Sequence, residues 1–176
     1  MKSAEQCRDY SAPERPCVRR YRWHGASAMP SELVIRPAVA ADLELATDWL
    51  AGAGLPTKDL TASHMDAFLI AVRHEKALGM IGLEQLTEIG LLRSLIVDQS
   101  YRGKGLGANL VAELESKARR HELRELWLLT IDADAFFARH GYVAIEREHA
   151  PAAIQSSAEF SSLCPGDAVL MRKRLD

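Results

Sequence analysis

Three closely spaced glycines, Gly103, Gly105 and Gly107, lie in the run Gln99-Ser100-Tyr101-Arg102-Gly103-Lys104-Gly105-Leu106-Gly107, between an apolar stretch ending at Val97-Asp98 and a stretch with helical periodicity. A strand that turns through such a loop straight into a helix belongs to an α/β fold, with the helix packed back on the sheet and the next strand parallel and right-handed to the first. The loop is also an anion site by construction. The first N–H groups of a helix have no intrahelical partner, they lie at the positive end of the macrodipole, and glycine lets an anion approach the backbone closely. Arg102 and Lys104 add formal charge, so a diphosphate is the ligand these features suit. A turn without a ligand would carry the backbone entropy of three glycines for no gain. Gly103-x-Gly105-x-x-Ala108 also fits the dinucleotide fingerprint, but three strands of antiparallel style precede it and too little chain follows for a second mononucleotide half.

The rest of the chain can be read around that loop. Residues 1–30 lack hydrophobic periodicity, carry Pro13, Pro16 and Pro30, and mix arginines with acids. They read as a disordered extension, or as an upstream start with Met29 the natural beginning, and the domain as residues 31–176. Glu32 to Arg36 alternates like an edge strand and stops at Pro37, which cannot donate to a ladder. Leu43, Ala46, Trp49 and Leu50 recur at helical spacing, closed by Gly52 and Gly54. Residues 67–73 and 77–86 form a hairpin, residues 91–98 a buried strand, and residues 108–121 a helix with Leu110, Val111, Leu114 and Ala118 on one face. A strand at 126–130, a short helix at 133–140 and strands at 142–148 and 168–172 complete the order. The class is α/β with a mixed sheet.

Composition narrows the partners. A hydrophobic content of 48% in 176 residues supplies one continuous core. No apolar run approaches the roughly 20 residues of a membrane span, and a formal charge of −2 argues against a broad nucleic-acid face. Cys7, Cys17 and Cys164 are odd in number and lack paired spacing, and no His-x-x-x-His is present. Free thiols in a reducing cytoplasm and no catalytic metal are expected, the alternative being capture of a thiophilic ion by the thiolates.

Arg102-x-x-Gly105-x-Gly107 resembles the Arg/Gln-x-x-Gly-x-Gly/Ala pattern of the GNAT N-acetyltransferases, and Ala135-Phe136-Phe137-Ala138-Arg139-His140-Gly141-Tyr142 is similar to that family's Ala-x-x-Phe-Tyr-x-x-x-Gly-Phe segment. The resemblance covers residues 33–175. It implies the GNAT fold, a mostly antiparallel sheet with a central parallel βαβ unit and helices on both faces. It implies acetyl-CoA as co-substrate, its pyrophosphate on Arg102, Gly103, Lys104, Gly105, Leu106 and Gly107, and its pantetheine along a bulged strand at Leu95, Ile96 and Val97, with Phe137 nearby. Backbone N–H groups around Leu95 and Ile96 would polarise the thioester carbonyl, making Leu95 a catalytic position. Phe137 stands where the family often has a Tyr acid. The partner is a small-molecule amine, and a homodimer is allowed.

Glu84 is the candidate base, an acid in the otherwise apolar Met80-Ile81-Gly82-Leu83-Glu84, where burial raises a carboxyl pKa toward usefulness. A tight hairpin near Glu88-Ile89 would set Glu84 and Arg93 opposite each other, as an internal ion pair or as part of a site. Arg93 in an apolar strand is the candidate anchor for an anionic acceptor. Cys164 has no activating His nearby in sequence, so direct attack is expected over an acyl-enzyme. The Gly82-Leu83-Glu84 and Leu92-Arg93-Ser94-Leu95 stretches and the segment from Pro151 to Pro165 resemble the arsenic-resistance N-acetyltransferases. That likeness implies substrate contacts from Arg93, Ser94 and Glu84 and an acceptor such as arsinothricin. The alternatives are an amino-acid acetyltransferase similar to N-acetylglutamate synthase, or a CoA-binding module without chemistry.

Overall fold

The apolar runs of the sequence form the inner strands of one eight-stranded sheet in the computed structural model of the chain, which describes residues 19–21, 33–74 and 76–175. In chain order the strands are β1 (Arg19–Tyr21), β2 (Leu33–Pro37), β3 (Phe68–Arg73), β4 (Lys76–Leu86), β5 (Ile89–Val97), β6 (Glu125–Thr130), β7 (Val143–Ile145) and β8 (Val169–Arg174). They lie side by side as β1-β2-β3-β4-β5-β6-β8-β7. Among the described strands only β5 and β6 pair in parallel, as the crossover through the intervening helix requires. The α-helices among the described residues are α1 (Leu43–Gly52), α2 (Leu106–Arg120), α3 (Asp134–Ala138) and α4 (Ala152–Gln155). None is long and apolar enough to cross a membrane.

The helices lie on both faces because the inner strands are apolar on both sides. On one face α2 sets Leu106, Leu110, Val111, Leu114 and Ala118 against Leu33, Leu69, Leu78, Ile81, Leu83 and Leu92. On the other, Ala46 and Leu50 of α1 meet Phe68, Ile70, Met80 and Ile96, while Ile154 of α4 meets Leu91, Trp127 and Leu170. Each buried Leu contributes about 1.5–3 kcal/mol over its exposed state, and α2 buries more side chains than α1, α3 or α4.

Some boundaries differ from the sequence reading, each for a local reason. The expected edge strand is β2, but it is covered: Arg19, Arg20 and Tyr21 pair with Ile35, Val34 and Leu33. Three residues of the expected tail are therefore in the sheet, held through backbone pairing that needs no apolar pattern; the other residues of 1–30 lie outside the described residues. The short helix ends at Ala138 because Gly141, at a φ of 86°, lets Tyr142 N–H return to the Phe137 carbonyl. The strand expected to reach Glu148 stops at Ile145, where residues 147–149 turn as a 3₁₀ helix.

Gly82 pairs with Phe68, and a Cβ there would lie 2.7 Å from Cε1 and Cζ of the Phe68 ring, which is itself buried. Gly82→Val should therefore lower stability by about 1–3 kcal/mol through overpacking, read as a shifted midpoint in chemical denaturation.

Candidate active site

The hairpin of β4 and β5 turns through Thr87 and Glu88, with Leu86 opposite Ile89, Glu84 opposite Leu91 and Gly82 opposite Arg93. Pairing then resumes with Met80 opposite Ile96. Ser94 and Leu95 thus face the single residue Ile81, and Ser94 takes a left-handed φ of 57°. This is a β-bulge, which bends the strand and releases it from its neighbours. The ladder between β5 and β6 covers only Ile89 to Leu91, although β5 runs to Val97 and β6 to Thr130. The strands diverge beyond Leu91 and open a cleft of about 310 Å³. Ser94 and Leu95 line one wall, Leu128 to Ala133 the other, and Phe137 and Cys164 also face it. Ile96 and Val97 pack into the cores of opposite faces, so they could contribute only backbone groups to a ligand.

At the C-terminal end of β5 the loop enters α2. Gly103 and Gly105 have φ of 70° and 85°, and a Cβ at either would meet nothing within 4 Å. The cradle is open on its outer side. Gly107 sits against the Phe136 ring, 3.4 Å from where its Cβ would be. The Leu106 side chain is fully buried, which leaves its N–H as its only offering to an anion. Arg102 donates from Nε to the Val97 carbonyl at 3.1 Å, and Lys104 Nζ lies 5.5 Å from the centre of the Tyr101 ring. Both cations are thus placed at the mouth of a helix N-terminus that can receive a diphosphate.

The expectation that Glu84 and Arg93 stand directly opposite is corrected by the register. A turn made of Thr87, at a φ of 58°, and Glu88 puts Arg93 across from Gly82 and only diagonal to Glu84, with Arg93 Nη1 3.9 Å from Glu84 Oε2. The nearer partners come from elsewhere in the chain. Asp59, in the loop after α1, accepts from both Nη1 and Nη2 of Arg93. Glu159, at the start of the π-helical turn Glu159–Leu163, takes Nη2 at 2.7 Å. The other Glu159 oxygen accepts from the Cys164 thiol at 3.0 Å. Neither Asp59 nor Glu159 is distinguishable by sequence pattern: the first is one acid in a polar loop, and the second lies within the Pro151–Pro165 segment without a motif of its own.

The electrostatics follow from this crowding. Burial pushes the Glu84 carboxyl up; Arg93 opposes that shift, while Asp59 and Glu159 add to it, and Glu84 ends above the ordinary range. Burial also pushes Asp59 up, but its hydrogen bonds and charge pairing with Arg93 outweigh this and hold it below. The Cys164 thiol is pushed up to about 12 by burial and by its bond to Glu159. It is a thiol at neutral pH and a poor nucleophile. Leu95 and Phe137 line the cleft, whereas Glu84 lines an adjoining cavity of about 340 Å³ with Asp59 and Phe68; Arg93 borders both. Within the Pro151–Pro165 segment, Ile154 is core, Phe160 packs under Arg147, and Ala158 borders the cavity.

A mixed sheet split by a bulge before a glycine loop and helix defines a class of acyl-CoA-dependent transferases, and the comparisons agree. The sequence matches the Acetyltransferase (GNAT) family over residues 39–142. The chain belongs to that family. It is 30% identical over 120 residues to an uncharacterised N-acetyltransferase of Chlorobaculum tepidum, covering 66% of this chain and 77% of that one. It is 31% identical over 138 residues to the amino-acid acetyltransferase of Mycobacterium tuberculosis, covering 75% of this chain and 71% of the relative. A Mycobacterium tuberculosis protein solved in complex with CoA superposes with a TM-score of 0.70 at 25% identity, over 81% of this chain and 99% of the other. The N-acetylglutamate synthase of Neisseria gonorrhoeae, with CoA and N-acetyl-glutamate, shares the fold at a TM-score of 0.72 and 19% identity, over 86% of this chain and 36% of its own. The chain is an acetyl-CoA-dependent N-acetyltransferase.

If the loop holds the pyrophosphate, Gly105→Val should weaken CoA binding at least about tenfold by filling the cradle. Leu106→Ala should instead lower stability by about 2–5 kcal/mol with a smaller effect on affinity. Isothermal titration paired with thermal melting separates the two.

Proposed function

We propose that the chain acetylates the α-amine of a small amino-acid acceptor carrying an anionic head, an arsenical glutamate analogue such as arsinothricin, with glutamate as the competing acceptor. The observation that carries this reading is Arg93, a buried guanidinium at the junction of cleft and cavity that already holds a planar carboxylate, that of Asp59, in its fork. The likeness to an amino-acid acetyltransferase supports the amino-acid part. The arsenical part rests on the resemblance of the Leu92–Leu95 and Pro151–Pro165 stretches.

In this mechanism acetyl-CoA lies with its pyrophosphate on residues 102–107 and its thioester in the cleft beside Leu95. The neutral amine attacks the carbonyl carbon, the oxyanion is met by N–H groups at Leu95 and Ile96, and the C–S bond breaks as the N–C bond forms. The amine's proton passes to Glu84 through a water, since Glu84 lines the adjoining cavity and not the cleft itself. Attack is direct, because a Cys164 thiol pushed up to about 12 does not form an acyl-enzyme at neutral pH.

A base must be ionised to work, so kcat/KM should fall as the pH drops through the raised Glu84 pKa, above the usual value of about 4.3. Glu84→Gln should remove that acid limb and leave a rate that climbs with pH as the amine itself loses its proton. A purely structural Glu84 would change the melting temperature and leave the limb in place. For the acceptor, Arg93→Lys keeps a charge among the carboxylates but loses the fork, and kcat/KM for arsinothricin, phosphinothricin and glutamate should fall at least about tenfold relative to a simple alkylamine. A variant that weakens all four equally, or an alkylamine that is the best substrate, would remove the anionic-acceptor reading.

A further inference from the structure

We infer that Asp59 occupies, in the free enzyme, the place on the Arg93 fork that the anionic head of the acceptor takes, so that binding is an exchange of one carboxylate for another and Asp59 is a specificity-determining residue. The inference rests on the acceptor reading above and adds to it a competitor supplied by the chain itself.

The first support is that the fork is full. Asp59 takes both terminal nitrogens, Glu159 shares Nη2 at 2.7 Å, and Nε faces the Ser94 hydroxyl at 3.5 Å. Glu84 stands 3.9 Å from Nη1. Three carboxylates and one guanidinium sum to a formal charge of −2. An anion added to this group would meet repulsion and no unspent pair of donors. An anionic acceptor therefore reaches Arg93 only if one of the three carboxylates leaves.

Asp59 is the one that can. The Glu159 side chain is 8% exposed and also holds the Cys164 thiol. Glu84, its side chain 36% exposed, stands 3.9 Å from Nη1 and takes neither place on the fork, so its departure would free no pair of donors. The Asp59 side chain is 26% exposed and belongs to the stretch between α1 and the 3₁₀ turn at Ala62–Ala67, so its carboxylate regains water readily on release. That same stretch covers both sides of the arginine. Leu55 and Pro56 line the cleft, and Asp59 and Leu60 line the adjoining cavity. Gly54, at a φ of 72°, sets the turn from which it departs.

The exchange explains selectivity. The guanidinium stays paired throughout, which avoids leaving a buried charge uncompensated. What decides binding is the difference between two carboxylates on one fork. An uncharged amine makes no claim on the fork and leaves Asp59 seated, so its binding does not depend on the exchange. An anionic acceptor is held back by the fraction of molecules in which Asp59 is seated, and removing the competitor removes that burden.

The test is Asp59→Asn, with Asp59→Ala beside it, assayed with arsinothricin, phosphinothricin, glutamate and an alkylamine. Arg93 keeps Glu159 and Glu84 as partners in both variants, and thermal melting with CoA titration establishes that each is folded. The ratio of kcat/KM for anionic over uncharged acceptors should rise about tenfold, carried by a lower KM for the anionic ones. A ratio that falls or stays put, while wild type acetylates anionic acceptors, overturns the exchange and leaves the acceptor reading standing. Turnover of the alkylamine alone, by wild type and both variants, overturns the acceptor reading and the exchange with it.

Discussion

The extra residue in β5 governs the rest of the structure. With Ser94 and Leu95 set against Ile81, side-chain parity reverses, so that Ile96 shares the α1 face with Arg93 and Leu91 although it is odd-numbered steps from both. The same kink carries β5 away from β6 after Leu91. Without it the two strands would pair to their ends and the cleft would close. Backbone groups of β5 that a continuous parallel ladder would consume are thereby left without a partner in β6 beyond Leu91. The left-handed φ of Ser94 is a conformation that non-glycine residues enter only where the surroundings hold them there, and here β4 on one side and the apolar cores on both faces do so.

The second constraint is electrostatic. A guanidinium cannot be deprotonated in a protein, so burying Arg93 obliges the fold to bring carboxylates to it. They arrive from three separate segments: the loop after α1, strand β4, and the π-helical turn before β8. An apolar side chain of similar volume would serve stability as well or better, which makes the cluster more informative about chemistry than about folding. Its consequences spread outward. Burial, helped by the neighbouring Asp59 and Glu159 carboxylates against the pull of Arg93, lifts Glu84, and burial together with the bond to Glu159 keeps Cys164 protonated.

Much of this architecture was legible in the sequence because it rests on local rules. The glycine loop announced the strand-to-helix joint, and helical spacing of Leu110, Val111 and Leu114 announced the packing face of α2. What escaped was nonlocal. In the run from Leu91 to Val97 both faces of the strand are apolar apart from Arg93 and Ser94, so no alternation marks where the parity changes. The hairpin was expected, but a shift in its turn moved Arg93 from Glu84 to Gly82. Asp59 and Glu159 sit 34 residues before and 66 residues after Arg93 by their numbering, and nothing local to either foretells the meeting. Likewise β1 is Arg19-Arg20-Tyr21, which carries no apolar pattern to mark it as a strand.

Phe137 stands where the cleft meets the chemistry. It lines the cleft while packing edge-on against Phe136 and Tyr142, with ring centres 5.1 and 5.5 Å away. A ring in that aromatic nest offers no proton to a departing sulfur. The reaction has little need of one, since a thiol with a pKa near 8.5 leaves largely as the thiolate. An ammonium, by contrast, has no lone pair with which to attack, so the demanding proton transfer is removal from the amine. Glu84, whose pKa the surroundings raise, stands beyond Arg93 in the adjoining cavity, the place proposed for the acceptor. In the proposed reaction the site is therefore asymmetric in its proton chemistry: apolar where the sulfur would depart, and carboxylate-rich where the amine would arrive.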